Sequence, residues 1–258
     1  MGRPAGDVDA LAARLLDAAA SRTPIPPLTD DVELTVTRAY DVQDAVVAQL
    51  DVGPAPIAKL GLTSRAKQEQ MAVDAPLSGW FGHDMALEPG EPVATGELIQ
   101  PRVEPEIALL TSATLSGPGV TAAHVLAATA AVLPAVDVLD SRFAGYRFTL
   151  PDVVADNASA ARCALGDPVP VDGIDLALAG CVFSCNGVLV ATAAGAAVLD
   201  HPAAAVAWLV RDLARRGREL PAGSIVLSGA LTAAIAVAAG DVVRVTIDRI
   251  GALELACR

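Results

Sequence analysis

The sequence predicts an α+β fold, a small helical region followed by a larger domain built mainly from strands. Three observations carry it. Apolar residues recur at helical spacing near the start of the chain, short apolar runs punctuated by turn residues fill its second half, and one helix interrupts those runs. A doubly wound sheet would need a crossover helix between most successive strands, and the pattern supplies too few. We divide the chain into a mainly helical region, residues 1–75, and a strand-rich domain, residues 76–258.

Residues 7–22 read as the first helix, because Leu11, Leu15 and Ala19 fall on one face. The proline-rich TPIPPLTDD connects it to a second helix over 38–51, whose apolar set is Tyr40, Val42, Val46, Val47 and Leu50. IAKLGLTS reads as a strand entering a glycine-containing turn, SRAKQEQMAV as a short helix, and GWFGHDMALEPGEPV as loop and strand with a Pro-Gly turn. LIQPRVEPEIALL is the next strand. Pro105 inside it predicts a bulge or an edge position, since proline donates nothing to a ladder. Residues 121–133 read as an Ala-rich helix with Thr121 as N-cap, and Pro134 precedes the strand VDVLD. RFAGYRFTLPDVVADNASAAR is polar and turn-rich, as a substrate-facing loop would be. The strands LALAGCVFSC, GVLVATAA, SIVLSGAL and DVVRVTIDRIGALEL follow, interrupted by the helix HPAAAVAWLVRDLARRG, with Leu209 and Leu213 on one face and Gly217 just past its end.

Composition removes several classes of function. Lys and Arg number 18 against 30 Asp and Glu, a net charge of −12, and they form no stripe beyond RDLARRGR, which reads as a solvated helix face. Nucleic-acid binding is therefore not expected. Hydrophobic residues make up 53% of the chain, but no window reads as a membrane span, and MGRPAGDVDALAARLLDAAA has acidic residues where a secretory signal has an unbroken apolar core. A cytoplasmic protein is the expectation. The four cysteines lack CxxC spacing and read as buried reduced thiols, and three histidines without HExxH spacing do not make a familiar zinc enzyme.

The chemistry points to one cluster. Glu104 and Glu106, two apart on a strand, project to one face, and Asp137 follows beside a second apolar run. An E-x-E pair alone fits a solvated strand edge as well as a metal site. Against IALL and AAVLPAV, however, all three carboxylates need a partner, and a hard divalent ion such as Mg²⁺ or Mn²⁺ supplies one while keeping positions open for an oxygen-rich substrate.

Taken in order and spacing, AKLGLTSRAKQEQM, PRVEPEIALL, DSR, LPDVVADNAS and LSGALT resemble the hydratase/decarboxylase branch of the fumarylacetoacetate hydrolase family, from about Tyr40 to the end of the chain. SRAKQEQMAVDAPLSG and RFTLPDVVADNAS lean towards its decarboxylases. The resemblance implies a mixed β-sheet, β-roll fold with a small N-terminal helical region, and a divalent cation (Mg²⁺ or Mn²⁺) held by Glu104, Glu106 and Asp137. It also implies that Lys59 enters the active site. The implied activity is loss of CO₂ from an unsaturated 2-oxo diacid of the 2-oxo-3-hexenedioate type. Hydration of a 2-hydroxydienoate, action on another 2-oxo or polyketide-like acid, and a non-catalytic partner subunit are the competing readings. Asp84 is a candidate acid/base group. Leu62, Asn157, Ser159 and Arg142 are candidate substrate contacts, Asn157 and Ser159 serving equally well as caps and Arg142 better as a structural ion pair. Relatives usually carry glutamate at the third ligand, so Asp137, one methylene shorter, implies weaker metal affinity. Ala193, Asp200 and Ala230 stand where relatives commonly have glycine. A homo-oligomer, with a hydratase as a further partner, is also implied.

Overall fold

The computed structural model describes residues 6–65, 68, 69, 73 and 75–258. Its main body is a nine-stranded mixed sheet backed by a four-stranded antiparallel sheet. Two helices open the chain. Helix α1, Val8–Ser21, is capped by the Asp7 carboxylate, which accepts from Ala10 N, and α2, Val36–Val47, is capped by Thr35. Leu11, Leu15, Val42 and Val46 bury their faces against Phe143, Val153 and Val154 from later in the chain, forming a small separate core.

Strands β1 (Ile57–Gly61), β2 (Leu77–Phe81), β3 (Ala86–Leu87), β4 (Arg102–Thr111), β5 (Thr129–Leu139), β6 (Ala160–Leu165) and β7 (Val169–Pro170) belong to the large sheet. Strands β8 (Gly180–Cys185) and β9 (Val188–Ala194) start the small one. Then β10 (Ile225–Ala230) and β11 (Ile235–Ala236) return to the large sheet, and β12 (Val242–Ile247) and β13 (Gly251–Ala256) complete the small one. The order of the large sheet is β2-β1-β10-β4-β5-β6-β3, with β1/β10 and β3/β6 parallel. Helices α3 (Ala122–Ala127), α4 (Leu150–Ala155) and α5 (Pro202–Arg215) follow among the described residues. On α5, Val206, Leu209, Val210 and Leu213 are fully buried at i, i+3, i+4 and i+7 spacing. Gly217, φ +67, follows it in the left-handed conformation. No helix among the described residues is long and apolar enough to cross a membrane.

The two faces of the large sheet differ. Val103, Ile107 and Leu109 of β4 and Val132, Val136 and Val138 of β5 join the principal core with α5 and the small sheet. The alternate residues, Glu104, Glu106, Asp137 and Lys59, lie on the opposite face, which carries the site.

The α+β class is as expected, but several elements differ. The helix expected over 121–133 ends at Ala127, and TAAVLPAV is instead the first part of β5, paired with β4 throughout. Alanine content suggested a helix, but burial between two strands decides for a strand. Pro134 sits inside β5, its carbonyl accepting from Gly166 N at 2.8 Å. Pro105 is not at an edge, because β4 lies between β10 and β5. The expected bulge falls on the neighbouring strand, where the register shifts between Leu227 and Ala230. Ile57–Gly61, grouped by sequence with the helical region, is an inner strand between β2 and β10. The stretch read as a loop over 142–162 holds α4 and the start of β6. DVVRVTIDRIGALEL divides into β12 and β13. The helix expected in SRAKQEQMAV falls largely outside the described residues. Cys163, Cys181 and Cys257 are buried free thiols, whereas Cys185 is half-buried. Of the three positions compared with glycine, Asp200 alone has a positive φ, +66, held by an exposed pair with Arg65.

Candidate active site and metal centre

The carboxylate cluster follows from register. Glu104 faces Asp137 directly across the antiparallel β4/β5 ladder, and Glu106, two residues on, shares their side of the sheet. Carboxylate oxygens of all three lie within 4.8 Å of one another, and all three residues are buried. Water cannot screen such a group. Burial, then the charges of Asp137 and Glu104, push the Glu106 carboxyl well above its ordinary pKa.

Lys59 meets the cluster from a distant strand. It is almost fully buried, and its Nζ lies 2.5 Å from Asp137 Oδ2 and donates to Ala158 O at 3.0 Å. Strands β1 and β5 are three places apart in the sheet, about 14 Å if flat, which exceeds the combined reach of a lysine and an aspartate side chain. The contact therefore requires a sheet curled about this face.

One backbone irregularity holds Glu106. The bulge in β10 frees Gly229 N, which donates to Glu106 Oε2 at 2.6 Å. At φ +118, a Cβ on Gly229 would stand 2.0 Å from Thr63 Oγ1. Gly229→Ala is thus expected to lower stability by about 2–4 kcal/mol and to weaken metal binding, read from denaturant midpoints and a Mg²⁺ titration. Unchanged values in both would show that the bulge does not hold the carboxylate.

The other wall is a turn of three consecutive left-handed residues, Asn157, Ala158 and Ser159, with φ of +49, +55 and +56. Such backbone persists only where its surroundings hold it. The Asn157 side chain accepts from Trp80 N at 2.9 Å and donates to Trp80 O at 2.8 Å, tying the turn to β2. Gly79 lets the two approach, since a Cβ there would meet Asn157 O at 2.6 Å. Behind the turn, Asp156 is fully buried and accepts from Arg142 Nε, from Arg142 N and from Ser159 Oγ at 3.1 Å. Burial outweighs the Arg142 charge and raises the Asp156 carboxyl to about 6.

Over the cluster opens a cavity of about 350 Å³, lined by Lys59, Leu62, Arg102, Glu104, Tyr146 and Ser159 and by the apolar Leu77, Leu139, Phe148 and Val153. Of the residues expected from sequence, Lys59, Leu62, Glu104 and Ser159 line it, and Glu106 and Asp137 lie beneath it within the cluster. Three others do not reach it. Asn157 spends its amide on Trp80, Arg142 is committed to Asp156 and to the carbonyls of Asp140 and Ala160, and Asp84 is exposed on the turn His83–Met85. Sequence reasoning missed Arg102 and Tyr146. Arg102 was within reach of the strand-period argument, standing two residues before Glu104.

The residues fit a hard divalent cation. Glu106 Oε1 is buried and accepts no hydrogen bond, and an oxygen in that state calls for a cation. Glu104, Glu106 and Asp137 together could hold one.

Residues 48–257 match the fumarylacetoacetate (FAA) hydrolase C-terminal family, and the chain belongs to it. Its similarity is more specific than that. It is 42% identical over 236 residues to the 4-oxalocrotonate decarboxylase of Pseudomonas sp. strain CF600, covering 90% of this chain and 89% of that one. It is 38% identical to a 2-keto-4-pentenoate hydratase of Paraburkholderia xenovorans LB400, over 93% of this chain and 91% of the relative. The solved 4-oxalocrotonate decarboxylase of Pseudomonas putida G7, complexed with magnesium and adipate, superposes with a TM-score of 0.92 at 38% identity, over 97% of both chains.

Proposed function

We propose that this protein is a metal-dependent decarboxylase that converts an unsaturated 2-oxo diacid of the 2-oxo-3-hexenedioate type to a 2-hydroxydienoate and CO₂. Glu104, Glu106 and Asp137 are the ligands of Mg²⁺ or Mn²⁺ in this reading. The observation that carries it is three buried carboxylates with a buried lysine beside a cavity largely lined by apolar residues. When bound, the cation supplies open positions for the oxygens of a 2-oxo acid and a positive charge beside them.

The chain's own groups do the rest. As the distal carboxylate leaves as CO₂, its electron pair moves through the conjugated double bond to the 2-oxo oxygen, which becomes an enolate and takes a proton. Lys59, fixed by Ala158 O and Asp137, is placed to oppose that charge and to deliver the proton. Leu62, Leu77, Leu139, Phe148 and Val153 line the cavity and limit the water it holds.

The lining of this cavity bears on the choice between decarboxylation and hydration. Adding water needs a group that activates it, yet among the described lining residues Glu104 is the one carboxylate and there is no histidine. Asp84, the acid/base group suggested by sequence, stands outside. Decarboxylation is therefore favoured over hydration. Incubation of 2-oxo-3-hexenedioate with protein and Mg²⁺ is expected to release CO₂ and bleach the substrate's ultraviolet band, and EDTA to stop both. Appearance of a 4-hydroxy-2-oxo acid from a 2-hydroxydienoate, without CO₂ release from the diacid, would favour the hydratase.

The proposal extends to a cytoplasmic, self-associating protein that passes its dienoate product to a hydratase. Val188, Leu189 and Val190, exposed on the edge strand β9, support self-association.

A further inference from the structure

Besides Lys59, one basic side chain lines the cavity among the described residues, and the chemistry above leaves it unused. Arg102 is half-buried, its guanidinium stacked 3.9 Å from the centroid of the Tyr146 ring. Tyr146 is itself fixed, its hydroxyl 3.1 Å from Leu139 O and 3.2 Å from Gln100 O. No described carboxylate forms an ion pair with Arg102. With its guanidinium over the Tyr146 ring and its side chain lining the cavity, Arg102 can take a carboxylate there through two parallel hydrogen bonds.

Position on the strand says which carboxylate. Arg102, Glu104 and Glu106 share one face of β4, and burial deepens along the row, from half-buried Arg102 to Glu106 with no exposure. Successive members of such a row are about 6.7 Å apart. The carboxyl carbons of an extended six-carbon diacid are about 6 Å apart by ordinary bond lengths. With the 2-oxo-acid end at the three carboxylates, the other end reaches the level of Arg102 towards the mouth.

We propose that Arg102, held by Tyr146, recognises the distal carboxylate of the substrate and so selects diacids over monoacids. This rests on the 2-oxo-diacid reading of the site. Arg102 is a specificity residue rather than a catalytic acid or base. The carboxylate charge it faces departs through the chain as CO₂ forms, so the contact weakens towards the transition state, and its loss falls on KM more than on kcat.

The test is calorimetry in saturating Mg²⁺ with two unreactive probes, adipate and hexanoate, on the wild type, Arg102→Met and Arg102→Lys. The wild type is expected to prefer adipate by about tenfold or more, the scale of one charge-assisted contact. Arg102→Met is expected to erase that preference while Mg²⁺ and hexanoate affinities stay unchanged, and Arg102→Lys to keep part of it, having charge without the fork. A preference for adipate that survives in both variants overturns the role of Arg102 and leaves the diacid reading intact. A wild type that binds the two probes equally overturns the diacid reading itself. Equal weakening of adipate and hexanoate in Arg102→Met would place the arginine at the other carboxylate and also overturn the proposal.

Discussion

Glu106→Gln is expected to abolish divalent-metal binding and to lower kcat/KM by about 10³-fold or more, about 4 kcal/mol of transition-state stabilisation. Glu106 has no exposure to solvent, and its Oε1 has no hydrogen-bond partner among the described residues. Glutamine keeps the length and can still accept from Gly229 N, so the fold is retained while a ligand charge is lost. The amide nitrogen in turn can donate to Asp137 or Glu104. The variant should therefore be more stable than the metal-free wild type, by about 1–3 kcal/mol, because a neutral group replaces one that burial and two carboxylates force towards protonation. Loss of activity with a gain in metal-free stability is a signature that mere misfolding does not produce. Mg²⁺ titration, steady-state rates and urea midpoints measure the three quantities, and a variant that binds Mg²⁺ like the wild type would remove Glu106 from the ligand set.

How much of this was legible beforehand varies from residue to residue. The carboxylate cluster could be read because a strand's two-residue period is a local property, and Glu104 and Glu106 obey it whatever they pack against. Asp137 and Lys59 needed more, since nothing local says that strands three places apart meet around a curled face. The family resemblance supplied Lys59, and the curl explains it. Asn157 shows the opposite failure. Its polarity and its place in a turn-rich stretch suggested a substrate contact, but the amide is consumed by the backbone N–H and C=O of Trp80, which tie the turn to β2. Arg142 is bound up with Asp156 for the same reason. TAAVLPAV misled through composition, because alanine favours a helix in isolation and the neighbouring strands override it. Polarity in the sequence marked residues near the site, and only the packing sorted those that face the cavity from those that hold its wall.

The metal-free protein is expected to lose stability as pH rises, and Mg²⁺ to restore it most strongly at the alkaline end. A carboxyl whose folded pKa lies above its unfolded value stabilises the fold fully below the unfolded value, and that contribution is lost as pH climbs through the folded one. Two buried groups behave this way. Asp156, raised to about 6, makes its contribution below the ordinary carboxylate range and loses it as pH rises through about 6. Glu106 is also raised well above its ordinary value, by burial and by the charges of Asp137 and Glu104, so the part of the decline that Mg²⁺ removes belongs to the cluster. A cation binds the ionised carboxylates and releases the proton, so its affinity strengthens with pH. At a concentration 100 times its Kd it adds about 2.7 kcal/mol, about 5–10 °C in Tm for a chain of this size. Melting curves at pH 5.5, 7 and 8, with EDTA or with Mg²⁺, separate the two groups. Asp156 has no part in the metal site, so its slope survives Mg²⁺, whereas the slope that Glu106 contributes vanishes with Mg²⁺ and is absent from Glu106→Gln. A Mg²⁺ shift of equal size at all three values would mean that the cluster is already ionised without the ion.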